Sequence, residues 1–314
     1  MMQRVRNFIT VVIPCYNHGA FIYETVNSVW EQTCKNYEII IVDDGSDDTD
    51  TIDILDELAR HAKITVLRKE NGHVSSARNH GIKFSMGEFI LTLDADDYFD
   101  PTFLEKAQKI LQENAKIGVI TCFAHTFDHT GITGSLRPIG GGIENFLTNN
   151  NCWASALFRY RCWEDAGGFN ETMRRGYEDW DFWLSVTSSG WVVYSIPEYL
   201  YRYRNSLNSM VKQTFNVRPD LIKNLVENHE EIFKTHVVDV IYKKELMIQC
   251  LSEIKDTLTY RIGAFILYPI KFIRKGLKEY QKTEKANSVV VSSEESNHKT
   301  KSLSSESNYR KVEV

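Results

Sequence analysis

The sequence predicts an α/β fold: a mixed, mostly parallel sheet flanked by helices, with a C-terminal helical extension. Short runs rich in Ile and Val, each the length of a buried strand, alternate with stretches of helical apolar spacing in the front part of the chain. That alternation builds crossover units and therefore parallel pairing. Polar residues follow the first, second and fourth runs at their carboxyl ends, where ligands sit in open sheets of this kind.

The predicted strands are residues 8–13, 38–42, 64–67 and 88–93, with helices at 20–32, 51–62 and 75–85 between them. A further strand is predicted at 117–123, then a mobile glycine-rich loop at 131–142, a helix starting near Tyr177 and a strand at 191–195. Residues 219–282 read as mainly helical. The last stretch, 286–314, is rich in Ser, Glu, Asn and Lys and cannot bury enough apolar surface to offset its ordering entropy, so disorder is predicted. The division that follows is a catalytic domain over 1–215, a helical extension over 216–283 and a tail over 284–314.

A chain of 314 residues, 42% of them hydrophobic, can bury a core without disulfides or structural metal. Its net charge of −5 argues against wholesale nucleic-acid binding. The six cysteines (Cys15, Cys34, Cys122, Cys152, Cys162 and Cys250) lack the spacing of zinc or redox motifs and read as reduced thiols of a cytoplasmic protein. Arg4 and Arg6 before the apolar run 8–13 mimic a signal peptide. The run is too short, however, and ends at Pro14, so a first strand is the better reading. No segment reaches the ~20 apolar residues needed to span a bilayer.

The chemistry concentrates at the strand ends: Tyr16 and Asn17, then Asp43 and Asp44, then Asp94, Ala95, Asp96 and Asp97. Acids commonly cap loops and helices, but polar residues at three strand ends of one sheet converge on a single crevice. Asp94 and Asp96 alternate, so both can face one way. Paired carboxylates suit Mg²⁺ or Mn²⁺ held through substrate phosphates, where the ion stabilises a diphosphate leaving group. No Walker loop or Gly-x-Gly-x-x-Gly follows an early strand. A nucleotide would instead be gripped by carboxylates, an aromatic ring and a metal. Asp44 suits a base N–H; Tyr16 either packs on the base or is a buried ring with a paired hydroxyl. Glu178 and Asp179 open a predicted helix, which favours acids in any case.

Five ordered segments sharpen this reading: Val12-Ile13-Pro14-Cys15-Tyr16-Asn17, Ile41-Val42-Asp43-Asp44-Gly45-Ser46, Ala77-Arg78-Asn79-His80-Gly81, Leu93-Asp94-Ala95-Asp96-Asp97, and Gly167-Gly168-Phe169 with Tyr177-Glu178-Asp179-Trp180-Asp181. Together, over roughly residues 8–205, they resemble the motifs of glycosyltransferase family 2. The resemblance implies a GT-A fold and an inverting, metal-dependent enzyme moving sugar from a nucleotide diphosphate, uridine by preference, to an acceptor hydroxyl in cell-surface polysaccharide or glycolipid assembly. By the same resemblance Pro14, Tyr16 and Asp44 line the nucleotide pocket. Arg78 lies near the nucleotide, Asp94 near the ribose with Ala95 beside it, Asp96 binds the Mn²⁺ or Mg²⁺, and Asp179 is the catalytic base. Two positions depart from the pattern: Arg204 and Asn205 stand where the family often has a His after Tyr-Arg, and His73 replaces a small residue after Asn71-Gly72.

Within 260–282, Ile262, Phe265, Ile266, Ile270, Ile273 and Leu277 have helical spacing beside Lys271, Arg274, Lys275 and Lys278. Such a helix either packs on the protein with a solvated basic edge or lies in an anionic membrane interface at the inner face of the cell membrane. The latter suits a lipid-linked glycan acceptor. Two other functions compete: a sugar-phosphate nucleotidyltransferase, which needs a glycine- and arginine-rich loop after the first strand, and a non-catalytic nucleotide-sugar-binding module.

Overall fold

The computed structural model describes residues 4–205 and 217–256. Strands β1 (Val5–Cys15), β2 (Tyr37–Asp43), β3 (Ile64–Arg68) and β4 (Gly87–Thr92) enclose helices α1 (Gly19–Trp30), α2 (Thr49–Leu58) and α3 (His73–Phe84), as the alternation predicts. β1 pairs parallel with β2 and β4, and β2 with β3. Helices cover both faces, so every residue of β1 from Ile9 to Ile13 is fully buried, and apolar side chains fill consecutive positions instead of alternating.

There follow β5 (Tyr98–Phe99), α4 (Phe103–Glu113), β6 (Ile117–Asp128), β7 (Gly131–Leu136), α5 (Ile143–Phe146), β8 (Leu157–Arg159), α6 (Tyr160–Asp165), α7 (Glu178–Ser188), β9 (Val192–Arg204), α8 (Arg218–Asn228), α9 (Glu230–Thr235) and α10 (Val237–Asp256). The sheet runs β3-β2-β1-β4-β8-β6-β9-β5, with β7 on β6. β8 is antiparallel to β4 and β6, so β6 and its parallel partner β9 share the direction of the first four strands. The sheet is mixed and mostly parallel, as expected.

Two elements differ from expectation. The first six residues of the glycine-rich stretch form β7, antiparallel to β6. The hairpin closes because the Asp128 Oδ1 accepts bonds from the Thr130 N–H (2.8 Å) and hydroxyl (2.6 Å), an Asx turn that ends one strand and starts the next. The strand predicted at 191–195 continues to Arg204, shifting register against β6 as it goes.

One core lies under α1, α2 and α4, with Ile22, Leu55 and Phe103 in it; the other lies under α3, α6 and α7, with Ala77, Cys162, Phe182 and Trp183. Gly81 lets α3 press onto β1: a Cβ there would sit 2.5 Å from Val12 Cγ1. α8 adds Leu225 to the second core. Residues through Lys243 form one compact unit; those from Lys244 form another, described only as the remainder of α10. The basic amphipathic segment at 260–282 and the tail at 284–314 lie outside the described residues.

Candidate active site

The carboxyl ends of β2, β1 and β4 make one rim. Cys15 pairs with Asp43 and Val12 with Thr92, and the Leu93 N–H donates to the Val12 carbonyl at 3.0 Å. Neighbouring strands lie ~4.8 Å apart, so Asp44, Tyr16 and Asp94 emerge side by side. Asn17, in left-handed backbone at φ 54°, accepts the Asp47 and Asp48 N–H groups (3.1 Å each) and so ties the turn after β1 to the loop after β2. Pro14 is buried in register with Val42. Tyr16 is 45% exposed, so the buried-ring alternative fails and its face is open at the rim.

Asp44 is buried, and its Oδ1 accepts the Lys69 ammonium (2.6 Å) and the Gly72 N–H (3.0 Å). The sharp turn that presents it needs Gly45, at φ 78° with Asn71 N 2.8 Å from where a Cβ would stand. His73 opens α3 in left-handed backbone, φ 69°, immediately after that Gly72 contact.

In the Asp94–Asp97 segment the expected alternation holds: Asp94 and Asp96 are half-buried, Ala95 and Asp97 fully buried. Thr25 fixes the turn by donating its hydroxyl to the Ala95 and Asp97 carbonyls, both at 2.9 Å. Burial and the charge of Asp94 raise the pKa of Asp96, against the pull of His18 and Arg204. Burial raises that of Asp97 much further, with Asp96 and Asp94 adding to it. The Tyr201 hydroxyl and the Arg204 N–H (2.7 Å) bond Asp97 from β9.

Arg78 is the hub. It is buried on α3, and its guanidinium donates to Asp94 Oδ1 at 2.7 Å and to Glu178 Oε1 at 3.0 Å. Burial pushes its pKa down, but the two carboxylates more than offset this and hold it protonated. Its bonds therefore run to protein acids at both ends. The adjacent Asn79 accepts the Phe169 N–H (2.8 Å) on Oδ1 and donates to the Phe169 carbonyl (2.8 Å) and to Glu171 Oε1 (2.9 Å). Two neighbouring residues of α3 thus connect the second half of the chain to the first.

Glu178 and Asp179 open α7 after Tyr177, which turns the chain in left-handed backbone at φ 65°. Phe182, Trp183 and Val186 sink into the core below. Asp179 Oδ1 accepts the Trp180 N–H (2.8 Å), and Oδ2 accepts the Asn150 side-chain amide (2.7 Å). Burial, reinforced by Glu178, lifts its pKa to about 7, while Arg78 and the two hydrogen bonds pull it down. Apolar surroundings thus outweigh the helix N-terminus. The Tyr203 hydroxyl is raised by burial and, less, by the charges of Asp97, Asp94, Asp96 and Asp179.

Arg204, at the position where a histidine was the familiar residue, holds the Asp94–Asp97 loop: its Nε donates to the Asp96 carbonyl at 2.8 Å, and its guanidinium packs over Phe21 and Phe127 (4.6 and 4.5 Å to the ring centroids) and pairs with Glu24. Sequence reasoning missed Lys69, Asn150 and Tyr203. Lys69 and Asn150 are remote in sequence from Asp44 and Asp179, the acids they bond, and only the run Asn149-Asn150-Asn151 in a loop hinted at one of them.

Comparison with known proteins matches residues 10–172 to the model of Glycosyl transferase family 2. The chain belongs to glycosyl transferase family 2. The glycosyltransferase EpsJ of Bacillus subtilis is 34% identical over 235 residues, 71% of this chain and 67% of that one. Chondroitin synthase of Pasteurella multocida is 29% identical over 188 residues, 58% of this chain, and this family 2 chain spans only 19% of that synthase's length. Among solved structures, S. aureus TarS in complex with UDP-GlcNAc superposes with a TM-score of 0.58 at 19% identity, covering 70% of this chain and 66% of that one; the fold is GT-A.

Proposed function

We propose that this family 2 glycosyltransferase is an inverting, metal-assisted enzyme that transfers a sugar from a UDP-sugar to a hydroxyl of a glycan or lipid-linked acceptor. The observation that carries the reading is the Arg78 bridge: a single guanidinium joins Asp94 at the donor rim to Glu178, the immediate neighbour of Asp179. Donor and base therefore belong to one site. Tyr16 offers a ring face to the base, Asp44 an acceptor to its N–H, and Pro14 and Ala95 form the buried floor. UDP-GlcNAc in TarS and the polysaccharide synthases among the relatives support the choice of donor and acceptor class.

Among the described residues no three His, Cys, Asp or Glu side chains gather to hold a metal ion, so a divalent cation would rest on Asp96 with substrate phosphate and water. Asp96 is half-buried beside a like-charged Asp94 that raises its pKa, a repulsion that a bound cation relieves. Asp96 would hold Mn²⁺ or Mg²⁺, with diphosphate and water completing the shell. Bound there, the ion supplies charge neutralisation at the leaving diphosphate. Asp179 takes the proton from the acceptor hydroxyl as its oxygen attacks the anomeric carbon opposite the diphosphate. The bond to the diphosphate breaks, its electron pair leaves on the phosphate oxygen, and configuration inverts. No arginine stands between Pro14 and Ala20, where a nucleotidyltransferase would need one.

Among the described residues no helix is long and apolar enough to cross a membrane. Residues 260–282 are the proposed peripheral contact with the inner membrane face, and flotation of wild type and a variant neutralised at Lys271, Arg274, Lys275 and Lys278 with anionic liposomes tests it. Equal, negligible flotation overturns it. The donor is tested by calorimetry of UDP-sugars with and without Mn²⁺ on wild type and Asp96→Ala. Metal-dependent binding that the variant loses is the expected result; binding indifferent to metal in both contradicts the assignment.

A further inference from the structure

A satellite cluster on the outer strands belongs to neither core. On β6 and β9 the His125 ring stacks on Tyr199 (4.2 Å, 6°), and Phe123 meets the same ring edge-on (5.5 Å, 61°). Arg137, exposed just beyond β7, donates Nε to the Tyr199 hydroxyl at 2.6 Å and lies 5.5–5.7 Å from the Tyr199 and Phe123 centroids. Arg202 donates to the Tyr199 carbonyl at 3.1 Å. The nearest acid on β9, Glu198, is taken by Lys106 at 2.5 Å. Among the described residues no carboxylate pairs with Arg137 or Arg202, although the protein as a whole carries net charge −5.

A purely structural arrangement of this kind pairs its arginines with acids or buries them. Here one guanidinium, that of Arg137, is pinned by rings, and the other, that of Arg202, is held by the Tyr199 carbonyl, so part of their ordering entropy is already spent, with hydrogen-bond donors left over for an outside anion. Rings beside them present apolar faces complementary to the C–H faces of sugars. The strand pair also leads to the site already described: in register, Phe123 faces Tyr199, His125 faces Arg202 and Phe127 faces Arg204, whose guanidinium bonds the Asp96 carbonyl. His125 and Phe127 are two residues apart, ~7 Å along the strand.

We propose that Phe123, His125, Arg137, Tyr199 and Arg202 form a binding surface for an anionic sugar chain, carrying carboxylates or phosphates, that extends along β6 and β9 from the transfer site. Its role as an acceptor surface rests on the glycosyl-transfer reading above; the binding itself does not. The test is calorimetry on the full chain without donor or metal, using hexagalacturonate, a phosphodiester-linked hexasaccharide, neutral maltohexaose and linear inorganic polyphosphate. At least one anionic sugar binds, the better of the two naming the charge source, and maltohexaose binds about tenfold more weakly. Arg137→Gln, which removes an exposed charge, weakens the anionic sugar about tenfold, and Tyr199→Leu, which removes a ring and the hydroxyl that holds Arg137, weakens the sugar more than polyphosphate. UDP binding checks that each variant is folded; should Tyr199→Leu lose it, Arg137→Gln carries the test. The surface is overturned if neither anionic sugar binds, if maltohexaose binds equally well, if Arg137→Gln binds as wild type, or if a folded Tyr199→Leu binds sugar undiminished. Wild type that binds and transfers a nucleotide sugar yet ignores both anionic chains overturns this surface alone; the opposite pattern overturns the transfer reading alone.

Discussion

The stretch from β1 to β4 and the stretch from β6 to β9, the two sides of the proposed transfer site, hold their side chains by different means. In the first, Tyr16, Asp44, Asp94 and Asp96 sit just past a parallel strand, and ties between adjacent loops of the sheet present them: Asn17 to Asp47 and Asp48, Asp44 to Lys69 and Gly72. In the second, Asp179 stands near a left-handed tyrosine and is bonded by an asparagine from another loop, and its neighbour Glu178 is joined to Asp94 by Arg78 from α3. A regular sheet positions ligand-binding groups through its backbone; an irregular region needs long-range side-chain ties to do the same.

If that contrast is right, breaking the tie costs more than disturbing the sheet. Arg78→Met leaves the buried Glu178 and the half-buried Asp94 without their cation and is expected to lower stability by about 2–4 kcal/mol in urea unfolding. A loss below 1 kcal/mol would mean the two halves hold together without it. Gly81→Ala probes the sheet side: the added methyl meets Val12 at 2.5 Å, with an expected loss of about 1–3 kcal/mol by the same measurement.

Asp179→Asn is expected to stabilise the fold. A carboxyl whose folded pKa is raised to about 7 adds stability while protonated and loses it as pH rises through that value. The Asn variant should therefore gain about 1–2 kcal/mol over wild type above pH 7 and nothing at pH 4. The smallest effect is at Asn150. Its hydrogen bond favours the charged form of Asp179, so turnover, falling about tenfold per pH unit on the acid side of about 7, should have that limb displaced to higher pH in Asn150→Ala. An unmoved limb would make Asn150 a bystander.

Much of the first region was legible in the sequence because period and position suffice there: apolar runs give parallel strands, and residues just past them fall on the rim. Asp44, Asp94, Asp96 and Asp179 were proposed that way or by resemblance to the family, and the first three do stand just past β2 and β4. The second region was less legible. β8 is three residues long, too short for a periodic signal, and β7 owes its start to an Asx turn in a stretch whose glycines suggested a loop. Nothing local in Asn150 announces a carboxylate from a distant helix. Arg78 was placed near the nucleotide by resemblance, whereas its burial between two acids became visible only once α3 was docked on the sheet.

The central claim is that rim acids and Asp179 serve one transfer event, and Asp179→Asn tests it most directly when UDP-sugar binding and turnover are measured on the same preparation. Donor affinity should stay within about twofold of wild type while turnover falls by a factor on the order of 10²–10⁴. Wild-type turnover in a variant that binds donor normally would contradict the account.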